Sequence, residues 1–240
     1  RDDLIRFYQS RCIPNNTIIA ISGDIEPEKI WMKAEALFKD VQRRDLIKPL
    51  KNVPEAGSPG SLTVKMDKEQ ALLVLGFRAV AMNNPDRYSL NVLSGLFSGT
   101  SGRLFIALRE KSALAYTMGS VQKLGLDTGF ILFYAATTTD KLNEAKKLLL
   151  NEISAIKQGL LTEEELAAAK KEIIISQNVL METNAANSFQ AALDELYGLG
   201  YDNLYKFESE TNKVTKYDII RVANKYLNTN SCAEVVIQPE

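Results

Sequence analysis

The sequence predicts an α+β fold in which a mostly antiparallel sheet carries helices packed on one face. Three observations lead to this prediction. Two pairs of apolar segments have strand character, the segments around them repeat their apolar residues at helical spacing, and another apolar run lies near the end of the chain. A chain of 240 residues with 45% hydrophobic content is also long enough to bury a full core.

The first sixty residues predict a helix, a strand, a second helix and a linker, in that order. Residues 2–12 carry apolar side chains at helical spacing, and TIIAISG after them predicts a strand. The second helix is predicted from about Glu28 to Lys39. From Val41 to Gly60 the periodicity is lost and prolines and glycines accumulate, which is typical of a linker.

The middle of the chain predicts two strand pairs. LTVKM and ALLVLGFRAV are expected to pair across the turn DKEQ, and the second of them, which alternates little, is expected to be buried on both faces. Asn84 is expected to cap a helix with Pro85 at its first position. AYTMGSVQKL and GFILFYAATTT then predict the second pair.

The last hundred residues are mostly helical in their periodicity. One helix is expected between a cap at Thr139 and a break at Gly159, and another begins at the capping box formed by Thr162 and Glu165, with Leu180 among its inward residues. Further helices are predicted over 188–199 and 216–227. The pattern over 201–212 is mixed, and CAEVVIQ predicts the last strand.

Charge and apolar run length exclude several kinds of partner. Lys and Arg number 29 against 30 Asp and Glu, and both signs are interspersed, so no basic surface for nucleic acid or an anionic membrane is indicated. The apolar runs, such as Ala71 to Leu75, are far below the roughly 20 residues of a membrane helix. We expect a soluble protein without a membrane span, and cytoplasmic and periplasmic locations both stay open.

The chain contains no histidine, so it lacks the usual general base at neutral pH and the commonest transition-metal ligand. Cys12 and Cys232 are too far apart for a zinc knuckle or a disulfide framework, and we expect two buried apolar thiols. Glu163 to Glu165 are interpreted as solvated acids of a helix's first turn. A self-contained histidine-based site is excluded, and we expect this chain to bind no cofactor.

The two ends of the chain resemble each other. Aligned without gaps, DLIRFYQSRCIPNNTIIAIS and DIIRVANKYLNTNSCAEVVI share Asp3/Asp218, Ile5/Ile220, Arg6/Arg221 and Asn15/Asn230, and their apolar positions coincide. Both predict a helix, an Asn-containing turn and a strand. If the match is a true repeat rather than chance similarity between amphipathic segments, residues 1–22 close a preceding domain of a tandem repeat.

Several motifs in order resemble the pitrilysin (insulinase) family of zinc metallopeptidases. They are FYQSRCIPNNTIIAISGDIEPEKI, the Pro/Gly linker, LLVLGFRAV and GTSGRLFIALREKSALAYTMGS. The resemblance implies two similar α+β domains facing each other across a cavity, with the inverted zinc motif H-x-x-E-H in the first. It assigns residues 1–45 to the tail of that homologous domain, 46–60 to a linker and 61–240 to the second, non-catalytic domain, with the fold of mitochondrial processing peptidase.

The same resemblance implies a role for two residues. In active members of the family an Arg and a Tyr seven residues later bind the substrate's backbone carbonyl and stabilise the developing oxyanion, and Arg109 and Tyr116 have this spacing. The family's usual L-G-L-A-Y-S reads here SALAYT, which lacks the glycine of the turn. From the residues alone, Arg109 could simply end a helix, and Tyr116 could be an ordinary half-buried strand residue alternating with Leu114 and Met118.

The resemblance leaves two functional hypotheses. In the first, the chain is the non-catalytic half of a zinc metalloendopeptidase and clamps a peptide substrate against a zinc site supplied by a histidine-bearing homologous domain, fused or in a separate subunit; alone it would be inactive. In the second, it is a zinc-less regulatory or structural partner subunit of the same family. An unrelated α+β ligand-binding domain fits the ordered motifs less well.

Overall fold

The computed structural model describes residues 1–44 and 60–240. The chain divides into two compact units. Unit 1 comprises Arg1–Asn52 and Ser176–Phe207, and unit 2 comprises Val53–Ile175 and Glu208–Glu240. Nearly all of the predicted linker, residues 46–60, lies outside the described residues.

The elements follow one another in mixed order. The helices are α1 (Asp2–Arg11), α2 (Pro27–Phe38), α3 (Arg87–Phe97), α4 (Leu142–Lys157), α5 (Glu163–Leu180), α6 (Asn184–Leu196), α7 (Asn203–Lys213) and α8 (Lys216–Tyr226). The strands are β1 (Ser61–Met66), β2 (Ala71–Ala79), β3 (Ala115–Lys123), β4 (Gly129–Thr137) and β5 (Ala233–Pro239). A π-helix, Phe105–Glu110, precedes β3, and short 3₁₀ turns cover Pro14–Asn16, Thr139–Lys141 and Thr229–Ser231.

Unit 2 is a five-stranded sheet with helices on one face. The strand order is β1-β5-β2-β4-β3, and every neighbouring pair is antiparallel except β1 with β5. Helices α3, α4 and α8 pack against the same face, where Leu73 and Phe133 are fully buried and Phe97 meets Phe133 edge-to-face with ring centroids 4.8 Å apart. The predicted α+β fold is confirmed.

The pairing of the first two strands differs from the prediction. β5 lies between β1 and β2, so that Val236 faces Thr63 on one side and Leu73 on the other. A short polar turn between two strands permits a hairpin but does not enforce one, and the apolar last strand competes successfully for the position. β2 is also not buried on both faces: its residues alternate between buried and half-buried because the helices cover only one side.

Two local predictions were wrong, one for a segment of unit 1 and one for a segment at the boundary between the units. TIIAISG is not a strand, because a strand needs a hydrogen-bonded neighbour and the described part of unit 1 contains no other strand. Residues 201–212, predicted as mixed, are largely the helix α7. Leu204, Phe207 and Thr211 lie at i, i+3 and i+7 along it and are its more buried positions.

The predicted helices are present, but several details differ from the prediction. α6 begins at Asn184 rather than at residue 188, and Thr139 does not cap α4, because it opens the 3₁₀ turn Thr139–Lys141 and α4 begins only at Leu142. The capping box is present, since Thr162 N–H donates to Glu165 Oε2 at 2.9 Å and Glu165 N–H donates to Thr162 Oγ1 at 3.1 Å. Asn84 does not cap α3; its Oδ1 accepts the N–H of Asp86, and the resulting turn delays the helix to Arg87. Leu180 is exposed, because the buried core of unit 2 reaches only to Ile173 along α5.

Candidate functional site

The π-helix Phe105–Glu110 is entered through a glycine that the backbone requires. A Cβ on Gly102 would lie 2.1 Å from the carbonyl oxygen of Ser98, so no other residue fits this position without moving the chain. Leu104 and Leu108 are fully buried and anchor one side of the π-helix in the core of unit 2. The opposite side, which carries Arg109, remains exposed.

Arg103 ties the start of this segment to two long helices. Its guanidinium lies 3.3 Å from Glu152 of α4 and 3.0 Å from Glu165 of α5, and it also donates to the carbonyl oxygen of Leu160. The side chain is largely buried, so these contacts are little screened by solvent. The entry to the π-helix is therefore held rigidly.

The turn after the π-helix contains a strained residue. Ala113 has φ +48°, a left-handed conformation that costs a non-glycine residue about 1 kcal/mol or more. Leu114 N–H donates to Leu108 O at 2.7 Å, Lys141 Nζ donates to Ala113 O at 3.3 Å, and the Thr137 hydroxyl donates to Leu114 O. These three bonds hold the turn in the conformation for which the family uses glycine.

Tyr116 is the extra residue of a β-bulge at the start of β3. Ala115 faces Thr137 and Thr117 faces the next residue, Ala136, so Tyr116 has no partner across the ladder. Its side chain is 75% exposed. The simple alternation with Leu114 and Met118 therefore does not apply, because the bulge interrupts the period of two and turns this ring out of the sheet.

The structure brings Arg109 and Tyr116 together. The guanidinium carbon of Arg109 lies 5.2 Å from the ring centroid of Tyr116 and 5.2 Å from that of Phe105, so the cation contacts both aromatic rings. Sequence reasoning missed Phe105, although its position four residues before Arg109 is the signal for a contact along a helix.

The hydrogen-bond donors of Arg109 and Tyr116 are unpaired in the part of the chain that the structure describes. Within residues 1–44 and 60–240, neither the Arg109 guanidinium nor the Tyr116 hydroxyl has a hydrogen-bond or ion-pair partner. A guanidinium offers five N–H donors and a phenol one O–H donor. We call these two residues the Arg109–Tyr116 pair; its chemistry suits an oxygen acceptor that carries or develops negative charge.

A second cluster of cationic and phenolic groups lies between α3 and α8. Asp86 is buried, and its carboxylate contacts Arg221 at 2.8 Å, Lys225 at 3.0 Å and the Tyr226 hydroxyl at 2.7 Å. Burial alone would raise the pKa of Asp86, but the hydrogen bonds from Tyr226, Lys225 and Arg221 outweigh it and lower the pKa from 3.8 to about 2. We call these residues the Asp86 cluster.

No zinc site is found among the residues that the structure describes. The sequence has no histidine, and no three Cys, Asp or Glu side chains in the described ranges are grouped so that they could hold a metal ion. Glu165 is already committed to Arg103 and to the capping box. Among the same residues, no helix combines the length and apolar character needed to cross a bilayer.

The prediction of two buried cysteines was wrong. Cys12 is exposed, because it closes α1, in which no residue is buried. Cys232 is half-buried, and its thiol donates to the carbonyl oxygen of Thr229 at 3.3 Å. Burial, followed by the nearby charge of Glu234, raises the pKa of the Cys232 thiol, which makes it a poor nucleophile at neutral pH.

Comparison with known proteins gives a family match. The family model described as the Peptidase M16 inactive domain matches residues 1–173. An uncharacterized zinc protease of Rickettsia bellii is 28% identical over 98% of this chain, which spans 57% of that protein. An uncharacterized zinc protease of Bacillus subtilis is 26% identical over 99% of this chain, which spans 58% of it. The chain is thus little more than half as long as these relatives.

A solved structure agrees on the fold. The peptidase M16 inactive domain from Pseudomonas fluorescens superimposes with a TM-score of 0.80, at 20% sequence identity, over 91% of this chain and 52% of that one. At this identity the similarity concerns the fold alone.

Proposed function

Since this chain belongs to the family of peptidase M16 inactive domains, we propose that it is the substrate-binding, non-catalytic half of a zinc metalloendopeptidase. A homologous domain that carries the histidines, either fused to this chain or in a separate subunit, would hold the zinc. This chain would close on an extended peptide from the opposite side and present Arg109 and Tyr116 to the scissile carbonyl.

The observation that carries the proposal is the free hydrogen-bonding capacity of the Arg109–Tyr116 pair. Both side chains are exposed, and the guanidinium carbon of Arg109 lies 5.2 Å from the ring centroid of Tyr116. Neither side chain has a hydrogen-bond or ion-pair partner in the described part of the chain. When a carbonyl carbon becomes tetrahedral its oxygen gains negative charge, so donors aimed at that oxygen bind the transition state more strongly than the substrate. A guanidinium and a phenol side by side supply such donors without a proton transfer by either group.

The surroundings support a preorganised role. The π-helix is fixed by Arg103 and by the buried Leu104 and Leu108, so the guanidinium of Arg109 does not have to be ordered when a peptide arrives. The Phe105 ring also contacts the guanidinium, with its centroid 5.2 Å from the guanidinium carbon. Donors already held in place cost little reorganisation during the reaction, which is the condition for effective oxyanion stabilisation.

The test is peptide hydrolysis by the chain reconstituted with its histidine-bearing domain. Arg109→Ala and Tyr116→Phe should each lower kcat by roughly tenfold or more while the thermal midpoint of the chain stays unchanged. The matched controls are Lys111→Ala and Tyr217→Phe, which remove an exposed cation and an exposed phenolic hydroxyl outside the pair. Unchanged kinetics in both test variants, or zinc-dependent hydrolysis by this chain alone, would contradict the proposal.

A second candidate is a zinc-less regulatory or structural partner subunit. One observation favours it: the turn before Tyr116 carries a strained Ala113 where the active family pattern has glycine. The two functions differ in the domain that faces this one, because only the first requires an intact H-x-x-E-H there. Reading the residues encoded before Arg1 for that motif discriminates between them.

A further inference from the structure

A threonine interrupts the apolar row of side chains that β4 buries in the core. From Ile131 onward every second residue of β4 is buried, and the first three of these, Ile131, Phe133 and Ala135, are apolar. The fourth, Thr137, is only 4% exposed. A valine has the same shape and would fit an apolar row without the cost of burying a hydroxyl. Packing therefore does not explain the hydroxyl of Thr137.

The hydroxyl of Thr137 bonds to the segment that joins Arg109 to Tyr116. It donates to the backbone oxygen of Leu114. The N–H of Leu114 donates in turn to the backbone oxygen of Leu108 at 2.7 Å. The backbone of Leu114 is thus held on both sides, by the π-helix at the residue before Arg109 and by a threonine in the core.

Thr137 also lies beside the bulge that displays Tyr116. It pairs with Ala115 across the ladder, whereas Thr117 pairs with Ala136, so Tyr116 is the extra residue between these two pairs. A bulge bends its strand, and the direction of its extra side chain depends on how the neighbouring residues are held. The bond from Thr137 fixes the strand at the point where the bulge begins.

The strand that carries Thr137 is held on both edges. β4 lies between β2 and β3 in the sheet, and Thr137 pairs with Ala71 of β2 on the side away from the bulge. Ala71 is itself fully buried. A residue bonded to strands on both sides has little freedom to shift, so the hydroxyl is a fixed point for the turn before Tyr116.

From these contacts we propose that Thr137 is a positioning residue for the Arg109–Tyr116 pair. Its hydroxyl holds Leu114, and through Leu114 it sets the position of the bulge that carries the phenol relative to the π-helix that carries the guanidinium. The kinetic part of this inference rests on the proposed function, because the geometry of the pair affects a rate only if the pair acts on a substrate. Donors held in one arrangement stabilise an oxyanion without reorganisation, so loss of the bond should lower kcat rather than raise KM.

Peptide hydrolysis by the chain reconstituted with its histidine-bearing domain measures the kinetic consequence. Thr137→Val removes the hydroxyl at nearly constant volume and should lower kcat roughly three- to tenfold with KM unchanged. Thr137→Ser keeps the hydroxyl and should restore most of kcat. The matched control is Thr211→Val, at a threonine that is 1% exposed and whose hydroxyl has no hydrogen-bond partner among residues 1–44 and 60–240. The control should keep the kcat of the unchanged chain.

A double-mutant cycle separates positioning from a general loss of structure. If Thr137 acts through the pair, Thr137→Val should lower kcat by less than about twofold in a chain that already carries Arg109→Ala and Tyr116→Phe. An equal fall of kcat in both backgrounds would overturn the proposal, because the hydroxyl would then support the fold and not the pair. Failure of Thr137→Ser to restore kcat would overturn it as well.

A spectroscopic measurement without substrate keeps this inference separate from the proposed function. NMR of the chain with labelled tyrosine rings reports the surroundings of Tyr116, whose signal is identified by its loss in Tyr116→Phe. We expect Thr137→Val to shift or broaden this signal and Thr211→Val to leave it unchanged. An unchanged Tyr116 signal in Thr137→Val would overturn the positioning role. A changed signal, combined with unchanged kinetics of Arg109→Ala and Tyr116→Phe, would support the positioning and contradict the proposed function alone.

Discussion

Unit 2 contains two groupings of cationic and phenolic side chains with opposite environments. In the Asp86 cluster, Arg221, Lys225 and Tyr226 converge on one buried carboxylate and satisfy it. In the Arg109–Tyr116 pair, the cation contacts the rings of Phe105 and Tyr116 and has no ion-pair partner in the described part of the chain, and both side chains are exposed.

The difference separates an arrangement that packing explains from one of the same residue types that packing does not explain. A buried carboxylate must be hydrogen-bonded, so the Asp86 cluster is explained completely by the packing of α8 against the start of α3. The Arg109–Tyr116 pair has no such explanation, because removing it leaves no buried group unsatisfied. Exposed donors held in a fixed position, next to a strained turn, are typical of a binding site.

The largest expected effect tests the structural side of this comparison. Asp86→Ala should lower the free energy of unfolding by about 2–3 kcal/mol, because it removes hydrogen bonds to a charged group, leaves Lys225 without its anion and leaves Arg221 with only the longer contact to Asp218. Urea unfolding of the purified chain measures this loss. Asp127→Ala, at an exposed aspartate, is the control and should have little effect. Equal stability of both variants would show that the cluster does not hold α8.

Acid should weaken the same cluster. The folded-state pKa of Asp86, about 2, lies below its ordinary value of 3.8, so the contribution to stability is fully present above pH 4 and is lost as the pH falls toward about 2. The shift corresponds to at most about 2 kcal/mol. Comparing urea midpoints of the unchanged chain and Asp86→Asn across this range isolates the group. If both lose stability in parallel, Asp86 is not the titrating residue.

A smaller change concerns the strained turn beside the Arg109–Tyr116 pair. Ala113→Gly should raise the free energy of unfolding by up to about 1 kcal/mol, because glycine adopts φ +48° without the steric cost and loses only part of that gain to a more flexible unfolded chain. Ala115→Gly, two residues on in β3, should instead destabilise the chain. Urea unfolding of both variants measures these two changes. If both substitutions lower the free energy of unfolding, the backbone at Ala113 is not strained.

The smallest expected effect concerns Phe105, which we regard as a positioning residue for Arg109. Phe105→Leu removes one of the two rings around the guanidinium, an interaction of about 0.5–1 kcal/mol. In the reconstituted enzyme kcat should therefore fall about two- to fivefold with KM unchanged. Phe105→Tyr keeps the ring and should restore kcat. A proportional rise in KM for Phe105→Leu would indicate instead that Phe105 contacts the substrate.

Most of the fold follows from local patterns. The helix over 142–157, its break at Gly159 and the capping box at Thr162 depend on residues within a few positions of one another, and the structure has all three. The segment TIIAISG shows the limit of this reasoning. Its composition suits a strand, yet strand formation depends on a neighbour that no local pattern supplies.

The sequence by itself determined the fold class, the family motifs and, through the absence of histidine, that no histidine-based zinc site lies in this chain. The tertiary structure decided that β5 separates β1 from β2, that a bulge turns Tyr116 outward and that Phe105 and Tyr116 both contact Arg109. The physical reason is the separation along the sequence over which each feature acts. Periodicity and caps act within a few residues, whereas strand order, bulges and ring contacts depend on which distant segments meet.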